Sequence, residues 1–169
     1  MPNTDISTPL FHGSRFYFES GFKLLPQPDG YVQGEGVSDF EALVEARRPA
    51  QKLSRSKSVF LSADMDLIDG AGGYIDAIYQ VDPTSPPESS DLAWYSEAWC
   101  EFSTEPCDRA KVADLIDCYW SGVPFHDLTV SNIEYRVEAA IVIGMQELNV
   151  QLEELRQVTA ASASSTHNQ

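Results

Sequence analysis

A short strand that ends in a turn is predicted near the start of the chain by residues 10–15, which read Leu10-Phe11-His12-Gly13-Ser14-Arg15. The apolar start suits a strand, and the glycine followed by serine is typical of a turn. Two later stretches each contain part of a predicted strand: Ser58-Val59-Phe60-Leu61-Ser62-Ala63-Asp64 and Asn132-Ile133-Glu134-Tyr135-Arg136-Val137. We therefore expect an imidazole, an aromatic ring and a carboxylate on three strands that are far apart in sequence.

The composition fits one globular domain with a sizeable core, since the chain has 169 residues and 43% of them are hydrophobic. The formal net charge is −15 and the sequence pI is about 4.3. Such a charge repels phosphate backbones, so we do not expect nucleic acid as a partner. A basic protein partner or a small-molecule substrate remains open.

The cysteines and the N-terminal residues indicate a cytoplasmic protein. Cys100, Cys107 and Cys118 show no paired short spacing, so neither a disulfide framework nor a zinc site is expected. The first ten residues are polar, and no apolar run of signal-peptide or transmembrane length follows. We expect no membrane association and a cytoplasmic location, which includes the cytoplasm of another cell after delivery.

Both helices and strands are predicted along the rest of the chain. The strands span 57–62, 74–82 and 133–143, and turn residues predict loops at 27–36 and 83–90. A capping box at Ser38 and Glu41 starts the first helix, which ends before Pro49. The other helices are predicted at 91–102, from Thr104 with Pro106 in the first turn to Gly122, and around 148–158. Residues 1–158 are expected to form a single domain, and residues 159–169 a disordered tail.

Five of the eleven basic residues lie in one connecting segment: Arg47, Arg48, Lys52, Arg55 and Lys57. We expect this segment to be a solvated loop, and contact with a pyrophosphate or an acidic partner is the alternative. Trp94, Trp99 and Trp120 are expected in the core rather than around a ligand.

The three strands carry groups that could cleave the nicotinamide–ribose bond of NAD, a reaction with an oxocarbenium-like transition state like that of glycoside hydrolysis. An imidazole and a hydroxyl can bind ribose hydroxyls and the carboxamide, and aromatic faces can sandwich the nicotinamide ring. A carboxylate can bind the ribose 2′-hydroxyl and stabilise the developing cation. These stretches offer His12, Ser14, Phe60 and Glu134, and Tyr74 offers a second ring from outside them. Gly13 allows close approach of the backbone to the carboxamide.

Three motifs resemble those of the poly(ADP-ribose) polymerases and related ADP-ribosyltransferases. The first is the His-Gly-Ser-Arg turn, which residues 12–15 match. The second is a strand usually written Tyr-Phe-Ala/Ser, or Tyr-Phe-Thr in rifampin ADP-ribosyltransferases, and residues 59–64 are similar to it. The third is the Glu-Tyr-Ile-Val strand, which residues 134–137 resemble as Glu-Tyr-Arg-Val.

The resemblance implies an α+β fold with a split, mainly antiparallel sheet flanked by helices. It implies that His12 and Gly13 bind the nicotinamide riboside part of NAD, that Ser14 contacts the carboxamide, and that Glu134 is the catalytic carboxylate. Further binding residues are expected within the same motifs: Arg15, Phe60 and Ser62. Tyr74, which follows the glycine run at 70–73, is expected to provide a second stacking face. No metal site is implied.

The chain departs from the family pattern at two places. Val59 or Phe60, depending on register, stands where the family has the second-strand tyrosine, so a ring remains only with Phe60 and the hydroxyl is lost. Asn132 stands two residues before Glu134, so the Glu-x-Glu pair of arginine-directed transferases is absent. Arginine is therefore disfavoured as the acceptor.

The function that the resemblance implies is mono-ADP-ribosyl transfer from NAD to a protein or small-molecule acceptor, as in a toxin, an effector or a resistance enzyme. The alternative is a non-catalytic acidic protein on the same fold that binds or inhibits a basic partner. Phe60 in place of tyrosine and the charge of −15 favour that alternative.

Overall fold

The computed structural model describes residues 8–26, 36–71 and 73–165. Within these residues the chain forms seven strands and four α-helices. The prediction of a mixed α+β fold is confirmed, whereas the finer assignment to the ADP-ribosyltransferase fold stays a prediction.

The strands are β1 (Leu10–Ser14), β2 (Lys23–Leu24), β3 (Val59–Ser62), β4 (Ala77–Pro83), β5 (Glu88–Asp91), β6 (Ile133–Val137) and β7 (Ala140–Leu148). The α-helices are α1 (Val37–Ala46), α2 (Leu92–Phe102), α3 (Arg109–Ser121) and α4 (Leu152–Ser165). Short 3₁₀ turns occur at Arg55–Lys57, Met65–Leu67 and Asp69–Ala71.

The strands are hydrogen-bonded in the order β2-β7-β4-β1-β3-β6-β5. The strand β1 pairs antiparallel with β4, with His12 opposite Tyr79, and antiparallel with β3, with Phe11 opposite Ser62. The strands β5 and β6 are also antiparallel, and their register places Ser90 opposite Glu134. The expected antiparallel character is therefore present in these pairs.

The chain divides into two compact units, each built from separate pieces of the sequence. Unit 1 comprises residues 1–23, 61–83 and 141–169. Its core contains apolar residues of β4, β7 and α4, such as Ala77, Tyr79, Val142 and Leu155. The Tyr79 hydroxyl donates to the Phe16 carbonyl and accepts from the Phe18 amide, so it fixes the segment that follows β1.

Unit 2 comprises residues 24–60 and 84–140. Its core is a cluster from α1, α2 and α3 that consists of Phe40, Val44, Leu92, Ala98, Val112, Ile116, Tyr119 and Trp120. Trp94 and Trp99 pack against this cluster, and the Trp120 indole donates to the Val44 carbonyl at 2.9 Å. The prediction of a core position is confirmed for Trp120, while Trp94 and Trp99 are half-buried at the edge of the cluster.

The capping box predicted at Ser38 and Glu41 is wrong. The helix α1 is preceded by Gly36, which has φ of 76° and no side-chain capping bond. Glycine adopts this left-handed conformation without steric cost, so no serine cap is required there. Glu41 is buried instead, and its carboxylate accepts hydrogen bonds from Arg55 and Tyr95.

Three element boundaries differ from the predictions. The helix α3 begins at Arg109 rather than near Thr104, because Asp108 caps it by accepting from the Ala110 and Lys111 amides. Part of the predicted loop at 83–90 forms β5, whose polar residues carry no strand signal of their own. The last predicted strand is two strands, β6 and β7, which are not neighbours in the sheet.

The last helix extends further than predicted. The helix α4 runs to Ser165 and so covers residues 159–165 of the predicted tail, while residues 166–169 lie outside the described residues. The predicted loop at 27–36 also lies outside them, apart from Gly36. The single-domain prediction for residues 1–158 stays a prediction.

Candidate functional site

In unit 1 the structure brings Gly13 and Tyr74 together, although sixty-one positions separate them. A Cβ atom on Gly13 would collide with the Tyr74 carbonyl oxygen and lie 2.6 Å from the Ile68 Cγ2 atom. Glycine is therefore required at this position by the packing of the chain against β1. Tyr74 remains 39% exposed, next to the turn that ends β1.

Arg15 also belongs to this group. Its guanidinium carbon lies 5.1 Å from the centroid of the Tyr74 ring and 5.2 Å from that of Phe16, which are cation–π distances. An exposed arginine therefore lies over the ring predicted to stack on nicotinamide. Gly13, Arg15 and Tyr74 are thus three predicted binding residues that the fold places side by side.

The hydroxyls of the two predicted serines are occupied by their own turns. The Ser14 Oγ accepts from the Phe16 amide at 2.9 Å, and the Ser62 Oγ donates to the Asp64 carbonyl at 2.7 Å. Both serines are buried. The half-buried His12 lies opposite Tyr79 in the sheet. The binding roles of His12, Ser14 and Ser62 stay predictions.

In unit 2 the predicted catalytic carboxylate is buried in a charged network. The Oε1 atom of Glu134 accepts from the Nη1 atoms of Arg55 at 2.8 Å and Arg136 at 2.9 Å. It also accepts from the Tyr119 hydroxyl at 2.5 Å. Glu134 is only 5% exposed, so these bonds lie in a region of low dielectric, where they are stronger than in water.

The Tyr119 hydroxyl is saturated with hydrogen bonds. It accepts from the Nη1 atoms of Arg55 at 2.5 Å and Arg136 at 2.6 Å. Because an arginine can only donate, the single hydroxyl proton must be the one that Tyr119 gives to Glu134. Burial raises the pKa of Tyr119 well above its ordinary value, although Arg55 acts in the opposite direction, so the proton is retained at physiological pH.

Arg55 connects Glu134 to a second buried carboxylate. Its Nε atom donates to the Oε2 atom of Glu41 at 3.2 Å, and Oε1 of Glu41 accepts from the Tyr95 hydroxyl at 2.5 Å. Burial lowers the pKa of Arg55, but the coulombic effects of Glu134, Tyr119 and Glu41 outweigh it and raise the pKa well above its ordinary value. Arg55 is therefore permanently charged. The prediction that it belongs to a solvated loop is wrong, because its side chain is buried.

Phe60 is the other predicted binding residue of unit 2. The guanidinium carbon of Arg55 lies 5.0 Å from the centroid of its ring. A planar cation therefore covers one face of Phe60 and also pairs with Glu134. Arg55 thus joins the predicted stacking ring to the predicted catalytic carboxylate.

Arg136 is completely buried and only partly satisfied. Its Nη1 atom donates to Glu134, Tyr119 and the Ser90 Oγ, the last at 3.0 Å. Its Nε and Nη2 atoms are buried without a hydrogen-bond partner among the described residues, and Nη2 lies 3.8 Å from the Glu88 Oε2 atom. Leaving such donors unpaired costs free energy.

The partners of Glu134 were missed from the sequence, although two signals were present. Arg136 stands two positions after Glu134 on β6, and residues i and i+2 of a strand point to the same face. Tyr119 is the second signal, because a tyrosine that is buried on a helix usually finds a hydrogen-bond partner for its hydroxyl. Arg55 gave no signal that distinguished it from its basic neighbours.

Two further classes of site find no support in residues 8–26, 36–71 and 73–165. These residues contain no group of three or more His, Cys, Asp or Glu side chains able to hold a metal ion. None of their helices is long and apolar enough to cross a membrane.

Comparison with known proteins adds no relative. No protein-family model, curated protein or solved structure matches the chain. The resemblance to the ADP-ribosyltransferases therefore stays a prediction.

Proposed function

We propose that the chain is a mono-ADP-ribosyltransferase that uses NAD as its co-substrate and modifies a protein or a small-molecule acceptor. The observation that carries this proposal is that Gly13 and Arg15 both lie next to Tyr74 in unit 1. Gly13 and Arg15 belong to the first motif, and Tyr74, which lies outside the motifs, was predicted separately as a stacking ring. An exposed aromatic ring beside a glycine turn is suited to stacking on nicotinamide.

The strands with His12, Phe60 and Glu134 are β1, β3 and β6, which are consecutive in the hydrogen-bonded order of the sheet.

The chemistry that we propose is a substitution at the anomeric carbon of the ribose. The bond between this carbon and the nicotinamide nitrogen breaks, and neutral nicotinamide leaves with the bonding electrons. A nucleophilic atom of the acceptor then bonds to the carbon and gives up its proton. Glu134 is the group that stabilises the cationic transition state and binds the ribose 2′-hydroxyl.

The test is nicotinamide release from NAD by the wild type, by Glu134→Gln and by Glu138→Gln. Glutamine keeps an oxygen for Tyr119 and the arginines, whereas alanine would leave two buried guanidinium groups without it. Glu138 is exposed and directly follows β6, so the same substitution there is a matched control. We expect Glu134→Gln to release nicotinamide at least about 100-fold more slowly, as other losses of transition-state electrostatics do.

Equal rates in the wild type and Glu134→Gln would contradict the catalytic role of Glu134. No release by the wild type, together with no rise in melting temperature on adding NAD, would contradict the proposed function as a whole. The folded state of each variant is checked by circular dichroism before rates are compared.

A second candidate is supported by the network around Glu134. Two guanidinium groups neutralise this carboxylate, and Arg55 covers one face of Phe60. Both features suit an acidic protein that has kept the motifs for structure and binds a basic partner. This candidate predicts partner binding that weakens steeply with salt and is unchanged in Glu134→Gln.

A further inference from the structure

We propose that Tyr119 and Arg136 are positioning residues that hold the Glu134 carboxylate by one oxygen, so that its other oxygen, Oε2, faces the ribose of NAD. This inference rests on the proposed function. It assigns a role in the reaction to two side chains that none of the sequence motifs singled out as catalytic.

The direction of the hydrogen bonds carries the inference. In the part of the chain that the structure describes, all the hydrogen bonds that Glu134 accepts end on Oε1. A carboxylate has room for about four such bonds over its two oxygens. The network therefore fixes the orientation of the group through Oε1 and leaves Oε2 for another donor, which a ribose hydroxyl can supply.

Stability alone gives a poor account of this arrangement. Arg136 is buried with its Nε and Nη2 donors unpaired, and its closest second carboxylate, Glu88, is 3.8 Å away. Buried ionic groups are often no more stabilising than well-packed apolar residues of the same volume. The free-energy cost of burying Arg136 with unpaired donors is explained if its role is to hold Glu134 in one orientation.

Tyr119 is the part of the network that can be removed most cleanly. Its hydroxyl gives its only proton to Glu134, while its ring packs against Tyr95 and Trp120. Tyr119→Phe deletes the hydroxyl and keeps the ring, so the helix packing of unit 2 is preserved. The carboxylate then keeps the two arginines but loses the donor that fixes its angle.

Tyr95→Phe is the matched control. Tyr95 also donates its hydroxyl proton to a glutamate at 2.5 Å, but that glutamate is Glu41 rather than Glu134. Both substitutions remove one hydroxyl that is bonded to a carboxylate, next to the same Arg55. Only Tyr119→Phe removes a bond to Glu134.

The experiment measures kcat and KM for nicotinamide release from NAD by wild type, Tyr119→Phe and Tyr95→Phe, with kcat expressed per folded molecule from circular dichroism. We expect Tyr119→Phe to lower kcat about tenfold, the effect of one lost hydrogen bond to a charged group, with KM changed less than about twofold. Tyr95→Phe should keep the wild-type kcat, although both variants lose a similar amount of thermal stability.

An equal loss of kcat in both variants, a change confined to KM, or an unchanged Tyr119→Phe would overturn the inference while the proposed function stands. No release by the wild type would overturn the proposed function and the inference with it. Ser90→Ala is a second variant, because it removes only the Ser90 Oγ that accepts from Arg136. It should lower kcat about threefold with KM unchanged, and it decides the question if Tyr119→Phe does not fold.

Discussion

At the scale of single residues, the packing of the chain alone requires glycine at position 13, whether or not a ligand binds there. The Tyr74 carbonyl and the Ile68 side chain fill the space that a Cβ atom would occupy. The same contact places the Tyr74 ring beside the turn that ends β1. One glycine therefore serves the packing of unit 1 and, in the proposed function, the shape of the nucleotide site.

Gly13→Ala should lower the free energy of unfolding by about 2–3 kcal/mol, since a backbone carbonyl cannot move aside as a flexible side chain can. The measurement is urea denaturation of the variant and of Gly144→Ala. Gly144 is also a strand glycine of unit 1, but nothing lies within 4 Å of the position of its Cβ. An equal effect at both positions would show that Tyr74 does not pack on Gly13.

The motifs predicted which secondary structure carries Glu134, but not the residues that surround it. Glu134 lies on a strand as predicted, but its burial and its partners depend on side chains that come from separate parts of the sequence. Arg55 shows the difficulty most clearly, because the basic segment around it has the composition of a solvated loop. Two buried glutamates, Glu41 and Glu134, attract it into the interior, and only the fold brings these together.

At the scale of elements, one aspartate joins β5, α2 and the loop that precedes β6. The Oδ1 atom of Asp91 accepts from the amides of Ala93 and Asn132, both at 3.0 Å. Its Oδ2 atom accepts from the Phe125 amide at 2.8 Å and from the Ser131 hydroxyl at 2.5 Å. Asp91 is therefore the N-cap of α2 and also the anchor of the loop.

The pKa of Asp91 lies below its ordinary value. Burial raises this pKa, but the hydrogen bonds from Phe125, Ser131, Asn132 and Ala93 outweigh that effect. A lowered pKa in the folded state means that the ionised carboxylate contributes stability above its unfolded pKa of about 3.9. This contribution is lost as the pH falls through the folded-state pKa.

Asp91→Asn should lower the free energy of unfolding by about 2–3 kcal/mol at pH 7, because an amide N–H₂ replaces an acceptor that faces two donors. Below about pH 4 the difference between variant and wild type should shrink, since the wild type then loses the same interaction. Urea denaturation at several pH values checks both expectations.

Asp108→Asn is the control for this experiment, because Asp108 caps α3 at an exposed position and asparagine is an equally good cap. Its effect should stay below about 0.5 kcal/mol. A pH-independent difference for Asp91→Asn would contradict the account of the buried aspartate.

The elements themselves were predicted where hydrophobic periodicity was strong. The helix α2 and the strands β1 and β3 were predicted with small errors in their bounds. The strand β5 was not, since Glu88, Ser89 and Ser90 have no strand propensity and depend on pairing with β6. The start of α3 was misplaced because Pro106 suits a first turn, but the Asp108 cap determines where the helix begins.

At the scale of the whole molecule, the chain has a formal net charge of −15, and none of this excess lies in the buried network. Within unit 2, Arg55 and Arg136 offset Glu41 and Glu134 in the buried network. The excess negative charge is therefore carried by groups outside this network. Repulsion among these groups opposes the folded state, and added salt screens it.

Raising NaCl from 10 to 200 mM should increase the melting temperature by several degrees, because the Debye length falls from about 30 Å to about 7 Å. Differential scanning calorimetry gives the value. KCl should produce the same shift, since screening depends on ionic strength and not on which monovalent cation is used. A melting temperature that falls with salt would mean that attractive charge pairs outweigh the repulsion.

The division of the chain into two units has a spectroscopic consequence. All three tryptophans, Trp94, Trp99 and Trp120, belong to unit 2. Indole fluorescence excited at wavelengths that tyrosine does not absorb therefore reports on unit 2 alone, and unit 1 contributes no emission. Emission and backbone circular dichroism recorded on the same denaturation series then separate the melting of unit 2 from that of the whole chain, without any label.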